Sequence, residues 1–286
     1  MVKSIEGYLP KTINAALQIL NSEDVIVYAG GTDLMVRYKN DANLLPKFEK
    51  NILYIGQIKE LQTVKQNENE LIIGSGCTFT SLLKEKHVPD ILKRAVIGIA
   101  SPAIRNMGTI GGNICNASPA GDTLPVLYGL NSKCRIISEG SERIVKIEDF
   151  IYGPRKTTLY KNEILESIII PNEYFNKMHY EKVGARKASA ISKLSFIGLC
   201  SVKDNSIEDL RLAFGSVGAT VIRVHEAEKV LIGKNLNDLK KYIDEAVKIY
   251  ENKINPIDDQ RSTAVYRKKV VMNLIRYFLN IEIRKF

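Results

Sequence analysis

The sequence has few cysteines, no long apolar run and no concentrated basic tract, and each shortage removes a class of function. Its four cysteines, Cys77, Cys115, Cys134 and Cys200, lie far apart, with no CxxC pair and no histidine beside them. That spacing gives no disulfide framework and no cysteine-ligated metal or iron–sulfur cluster, so reduced thiols in a cytoplasmic protein are expected. No uncharged apolar stretch is long enough to cross a bilayer. The opening MVKSIEGYLPKTINAALQIL lacks the apolar core and small-residue cleavage site of a signal peptide. A cytoplasmic chain with no membrane partner is therefore expected. His87, His179 and His225 stand apart, without the serine or cysteine context of a catalytic triad, and read as surface or structural residues. GxGxxG after a strand is missing, which leaves a Rossmann dinucleotide site without support. Gly233-Lys234 lacks the rest of a P-loop.

What is present is ordinary globular material. The chain has 286 residues, 45% hydrophobic and 26% charged, more than one average domain and enough to bury a core without disulfides. Lys and Arg number 41 against 32 Asp and Glu, a net charge of +9. The cations are mostly isolated between acids, and the densest spots, Lys240-Lys241 and Arg267-Lys268-Lys269, are short and not interleaved with aromatics. No nucleic-acid partner is expected from that pattern. The excess positive charge suits docking to an acidic protein partner.

Periodicity divides the chain into three stretches. Pro10, Thr12 and the apolar series Ile13, Ala16, Leu17, Leu20 predict a helix. A strand at 25–28, a helix at 34–38 and a strand at 52–55 complete a small α/β unit. A second unit has strands at 71–74, 134–138, 143–147 and 164–171, the middle two paired around Glu139-Gly140-Ser141. Its predicted helices are 80–86 and 89–100, and 106–122 is read as a glycine-rich loop. After a boundary near 172–176, strands are expected at 180–183, 191–202 and 210–217 as an antiparallel sheet. Two amphipathic helices follow, with apolar faces Leu239, Tyr242, Ile243, Ala246, Val247 and then Val270, Val271, Leu274, Ile275, Phe278.

Two glycine-rich segments carry the chemistry. In Tyr28-Ala-Gly-Gly-Thr-Asp-Leu34, adjacent glycines permit positive φ and close ligand approach. Successive amides in such a turn form an anion-binding concavity, to which the Thr32 hydroxyl adds a donor. A plain strand–turn–helix connection capped by Thr32 or Asp33 accounts for the same residues. The second segment, IRNMGTIGGNICNASPAGD at 104–122, holds Gly108, Gly111, Gly112 and Gly121 with Thr109, Asn113, Asn116 and Ser118 between them. It buries little apolar surface, and free N–H and hydroxyl donors there suit a diphosphate, with Asp122 an acceptor for a sugar hydroxyl. An unusual structural loop is the other reading.

At these residues the sequence resembles the FAD-binding medium subunits of the molybdenum hydroxylases, the xanthine dehydrogenase and carbon monoxide dehydrogenase flavoprotein family. The markers are AGGTDL at 29–34, the 104–122 segment, KVGARKASAISKLS at 182–195, LRLAFGSVGATVIR at 210–223 and STAVYRKKVV at 262–271. They occur in family order and span essentially the whole chain. The resemblance implies an α+β architecture: a PCMH-type FAD-binding domain over 1–173, in subdomains of about 1–57 and 58–173, then a CO dehydrogenase flavoprotein-like domain over 174–286 of antiparallel sheet and helices.

It also implies non-covalent FAD. Val27, Tyr28, Ala29, Gly30, Gly31, Thr32, Asp33 and Leu34 would wrap the diphosphate, and Thr109, Gly111, Gly112 and Asn113 would complete the cradle. Asp122 would bind the sugar portion, with Ile99, Leu165 and Lys182 near the cofactor. Gly31 would be needed because a side chain would block the phosphate, and replacing Gly111 by valine is expected to abolish flavin retention while leaving the chain folded. No catalytic side chain and no metal ligand is predicted on this chain. The molybdenum cofactor would sit on a large partner subunit and 2Fe–2S clusters on a small one, in a heterotrimer or its dimer, with electrons leaving FAD for NAD+ or another acceptor. The 182–193 stretch favours the xanthine dehydrogenase branch. No cysteine-rich insertion is visible, which argues against 4-hydroxybenzoyl-CoA reductase. The competing expectations are a self-sufficient flavin reductase on the same fold, like UDP-N-acetylenolpyruvylglucosamine reductase, and a flavin-free scaffold subunit.

Overall fold

The computed structural model describes residues 5–42 and 44–285. The chain opens with β1 (Gly7–Tyr8), α1 (Ile13–Ser22), β2 (Val25–Tyr28), α2 (Leu34–Arg37) and β3 (Asn51–Tyr54). The strands form a parallel three-stranded sheet in the order β1-β3-β2. Parallel strands need crossovers, and α1 supplies the one from β1 to β2, which lie on either side of β3. Thr12 caps it, its hydroxyl accepting from the Ala15 amide at 3.2 Å. The predicted stripe Ala16, Leu17, Leu20 is buried against Leu53, Ile55 and Ile58.

The second stretch holds β4 (Val64–Gln66), β5 (Glu70–Gly74), α3 (Phe79–Lys84), α4 (Asp90–Ile97), α5 (Pro102–Met107), α6 (Ile110–Asn116) and α7 (Thr123–Gly129). It continues with β6 (Lys133–Ser138), β7 (Ser141–Lys146), the short α8 (Ile147–Phe150), β8 (Ile151–Gly153) and β9 (Lys156–Thr157), and ends with β10 (Ile164–Pro171). The main sheet is antiparallel in the order β4-β5-β10-β6-β7. The last strand thus returns to the centre, which explains its apolar run. A register shift between Leu165 and Ser167 marks a bulge in it.

Two differences from the sequence reading fall here. The segment expected as a loop, 106–122, contains the end of α5 and all of α6. Glycine is a poor helix former, but Thr109 caps α6 by accepting from the Gly112 amide at 3.0 Å, and the helix packs too closely on Ser75 to admit a side chain at Gly111. The unread α7 is buried at every residue from Thr123 to Gly129. A helix buried all round has no polar face and leaves no 3.6-residue period to find.

The third sheet is antiparallel, in the order β11 (Lys177–Val183), β12 (Leu194–Lys203), β13 (Ser206–Gly215), β14 (Ile222–Arg223). The helices α9 (His225–Leu231), α10 (Lys240–Lys253) and α11 (Ala264–Asn280) complete the chain. Alternate side chains of β12 and β13 face opposite ways. Phe196, Phe214 and Leu212 join a core with Tyr250 of α10 and Phe278 of α11. Ile197, Leu199 and Ala213 share the core of the second stretch with Leu124 and Leu127 of α7. Burial on both faces makes the start of β12 continuously apolar, and the strand begins at Leu194 rather than 191. The architecture is α+β.

Candidate functional site

A cavity of about 590 Å³ opens between the small parallel sheet and the second sheet. The turn after β2 forms one wall, with Val27, Ala29, Gly30, Gly31, Thr32, Asp33 and Leu34. Thr109, Gly111, Gly112 and Asn113, at the start of α6, form another, and Ile99 and Leu165 also line it. The bulge in β10 immediately follows Leu165. Two glycine-rich segments roughly eighty residues apart in sequence are thus brought face to face, within the usual size of a cofactor cleft.

The first segment is shaped by its glycines. At Gly31 φ is +68°, and a Cβ there would lie 2.0 Å from the Tyr28 ring. Gly31 is therefore required by its own backbone and by Tyr28 beneath it, a more immediate constraint than ligand approach. Tyr28 itself does not line the cavity; its ring packs on Tyr54 with centroids 5.0 Å apart. At Gly30 a Cβ would fall 1.9 Å from the Met107 carbonyl oxygen, so the backbones of the two segments touch. Among the described residues, no hydrogen-bond acceptor takes the amides of Gly30, Gly31, Thr32 or Asp33. All four residues line the cavity, so amides without a protein acceptor are available at its wall.

The second segment differs from its reading as a run of free donors. The Ile110 amide donates to Cys77 O at 3.0 Å, Gly111 to Ser75 O at 2.9 Å and Asn113 to Thr109 O at 3.0 Å. With Gly112 bound to the Thr109 hydroxyl, the first turn of α6 is internally satisfied. Its glycines serve packing: a Cβ on Gly111 would lie 2.4 Å from Ser75 Cβ and 2.7 Å from Ser75 O. Valine at Gly111 would therefore disturb the fold, contrary to expectation. Gly112 is exposed, and a Cβ there would meet only Thr109 Oγ1, at 2.9 Å.

Asp122 and Lys182 stand outside the cavity lining. They pair with each other, Lys182 Nζ donating to Asp122 Oδ2 at 2.6 Å and to Gly98 O at 2.8 Å. The Ser192 hydroxyl donates to the other oxygen of Asp122. Burial raises the Asp122 pKa, against the opposing pull of Lys182 and Ser192. The oxygens assigned to a sugar hydroxyl are thus engaged within the protein, and Lys182 also bonds Gly98, the neighbour of Ile99 in the cavity wall.

Arg37, Phe79 and Glu163 are among the lining residues that escaped the sequence reading. Arg37 lies one turn beyond AGGTDL and donates to Asn116 Oδ1 at 3.2 Å, joining the two segments with a cation. Its only sequence signal was a basic residue in the last turn of α2. Glu163 is gripped by Arg143, Nε and Nη2 each at 2.7 Å, and accepts from the Tyr160 amide at 2.8 Å. The Arg143 bonds hold its carboxyl below the usual range.

Residues 3–173 match the FAD binding domain in molybdopterin dehydrogenase, and residues 179–281 match the CO dehydrogenase flavoprotein C-terminal domain. The glyceraldehyde dehydrogenase medium chain of Sulfolobus acidocaldarius is 36% identical, over 91% of this chain and 92% of its own. A putative xanthine dehydrogenase FAD-binding subunit from Escherichia coli K12 is 32% identical over 79% of this chain and 78% of its own. The fold superposes on a chain of reconstituted CO dehydrogenase from Oligotropha carboxidovorans with a TM-score of 0.88, at 25% identity and full coverage of both. The chain belongs to the FAD-binding subunits of the molybdenum hydroxylases.

A molybdenum hydroxylase flavoprotein is an oxidoreductase subunit, and the cavity's chemistry fits its cofactor. The free amides at residues 30–33, the Thr32 hydroxyl and the Arg37 guanidinium suit a diphosphate, and Ile99, Leu165 and Phe79 add apolar wall. The thiols of this flavoprotein subunit are quiet, Cys115 in the cavity lining included. Burial pushes Cys77 up to about 11 and Cys115 and Cys200 up to about 12. Among the described residues no group of His, Cys, Asp and Glu could hold a metal ion, and no helix is long and apolar enough to cross a membrane.

Proposed function

We propose that this chain holds FAD non-covalently in the cavity between its first two sheets and acts as the electron-transfer subunit of a xanthine dehydrogenase-like molybdenum hydroxylase. The observation that carries this reading is the set of unclaimed amides at residues 30–33, in a cavity whose lining also includes the capped start of α6. In it the lining residues named from sequence, Val27 and Ala29 to Leu34 with Thr109, Gly111, Gly112 and Asn113, surround the diphosphate, and Arg37 adds a charge-assisted donor. Asp122 and Lys182 act from behind Ile99, their ion pair fixing that part of the wall. When bound, FAD supplies the hydride and electron-transfer chemistry. The chain supplies position, donors and exclusion of water.

Electrons would arrive from 2Fe–2S clusters on a small subunit, released at a molybdenum cofactor on a large one, and leave for NAD+. The relatives named as medium chain or FAD-binding subunit support such partners. The domain division at about 57 and 173 follows the same reading, supported by separate sheets for 7–54, 64–171 and 177–223.

The test is the visible spectrum of the purified chain before and after heat release of cofactor, followed by anaerobic NADH addition. An oxidised-flavin spectrum, FAD released in near-stoichiometric amount and bleaching by NADH are expected. A colourless chain that refuses added FAD would overturn the assignment, and a flavin that NADH leaves oxidised would remove NAD+ as acceptor.

A further inference from the structure

Residues 98–101 link α4 to α5 and are half-buried. Three successive carbonyls of this link accept from side chains. Lys182 Nζ donates to Gly98 O at 2.8 Å, Arg105 Nη1 to Ile99 O at 2.7 Å and the Ser189 hydroxyl to Ala100 O at 3.3 Å. Arg105 Nη1 also reaches Ala100 O, at 3.5 Å. Ile99 and Ala100 line the cavity of about 590 Å³, as does Ile104 beside Arg105.

The link is held in a costly shape. Ala100 has φ +42°, in the left-handed region that glycine enters freely and alanine avoids. Such a conformation lasts only where its surroundings over-determine it, and it clusters at ligand clamps. Arg105 supplies the constraint. Ile99 O and Ala100 O belong to the two peptides that flank the Ala100 Cα, and φ and ψ at that residue set their relative direction. One nitrogen bonded to both therefore fixes the Ala100 backbone. The guanidinium has no carboxylate partner among the described residues, so its charge is directed to this stretch of main chain. Lys182 and Ser189 steady the ends of the same stretch.

We propose that Arg105 is a positioning residue of the flavin site, holding Ile99 and Ala100 in the shape that receives FAD; this rests on FAD occupying the cavity they line. A bond that served folding alone would set the stability of the chain. A positioning bond sets the fraction of chains whose wall is in the receiving shape, and apparent affinity falls with that fraction. A single nitrogen makes both contacts rather than a two-nitrogen fork, so an ammonium can stand in for the guanidinium.

The test is titration of FAD, read by quenching of flavin fluorescence, into the full chain stripped of cofactor, with thermal unfolding recorded before flavin is added. Arg105→Met should raise Kd about tenfold, as for a wall held in the receiving shape about one time in ten. Arg105→Lys should stay within about threefold of the parent, since a charged donor remains. Adding Ala100→Gly to Arg105→Met should recover about threefold or more of the loss, because glycine takes positive φ without strain. That last recovery is not expected of a bond that serves folding alone. A parent-like Kd in Arg105→Met, a loss that either replacement leaves unrepaired, or an Arg105→Met chain with no flavin-free unfolding transition would overturn the proposal. A parent chain that refuses FAD would instead remove the flavin reading itself, and the proposal with it.

Discussion

At the scale of single residues, glycines divide into those that shape the chain and those that leave room above it. Gly31 is of the first kind, with φ +68° and Tyr28 directly beneath. Gly31→Ala should cost about 1–3 kcal/mol through backbone strain and lose flavin together with stability, read by denaturant unfolding and by absorbance. Gly112 is of the second kind. Gly112→Ala presses on the Thr109 cap, a cost of about 1 kcal/mol that the helix preference for alanine over glycine offsets, so the unfolding midpoint should stay near that of the parent while less flavin is retained; retention equal to the parent would remove α6 from the proposed cofactor wall. Glu163 supplies a pH prediction. Its folded-state pKa is depressed by Arg143, so the pair's contribution is full above the ordinary carboxylate value and fades as pH falls through the lowered one. Glu163→Gln should therefore cost about 1–3 kcal/mol at neutral pH. Urea titrations of the two proteins should converge toward acid, and a pH-independent gap would place the effect in packing.

Among the elements, β12 is buried on both faces, and its glycine leaves no room for a side chain. A Cβ on Gly198 would approach the Phe278 ring of α11 to 2.8 Å. Gly198→Ala should destabilise by about 1–3 kcal/mol through overpacking, seen as a lower midpoint at unchanged m. Flavin binding to the surviving folded protein should be unaffected, since α11 lines neither cavity wall. The opposite face of β12 rests on α7, which ties the first 171 residues to the last sheet through Leu124 and Leu127 against Ile197 and Leu199.

Over the whole molecule, the cofactor cavity spans two sheets that otherwise share a small core. That core joins Ile164, at the start of β10, to Leu53, Ile55 and Ile58. A ligand that binds only the folded chain stabilises it by mass action, about 2.7 kcal/mol at a hundred times Kd. FAD should raise the thermal midpoint with the logarithm of its concentration above Kd, and amide exchange should slow most at residues 30–33, whose donors have no protein acceptor. Slowing confined to the C-terminal sheet would place the flavin elsewhere.

Local pattern reached far along this chain. The Thr12 cap and the Ala16, Leu17, Leu20 stripe determined α1, β-branched runs determined β2, β5 and β10, and Glu139-Gly140 determined the β6–β7 turn, because each acts over a few neighbouring residues. The order of the glycine-rich motifs was enough to indicate the family. What required tertiary structure was everything decided by an opposing surface. The helix α6 exists because Ser75 and Cys77 accept its first amides, and α7 is invisible in sequence because it is enclosed on all sides. Gly111 packs against Ser75, Asp122 turns to Lys182, and Arg37 reaches Asn116, pairings that no spacing along the chain encodes.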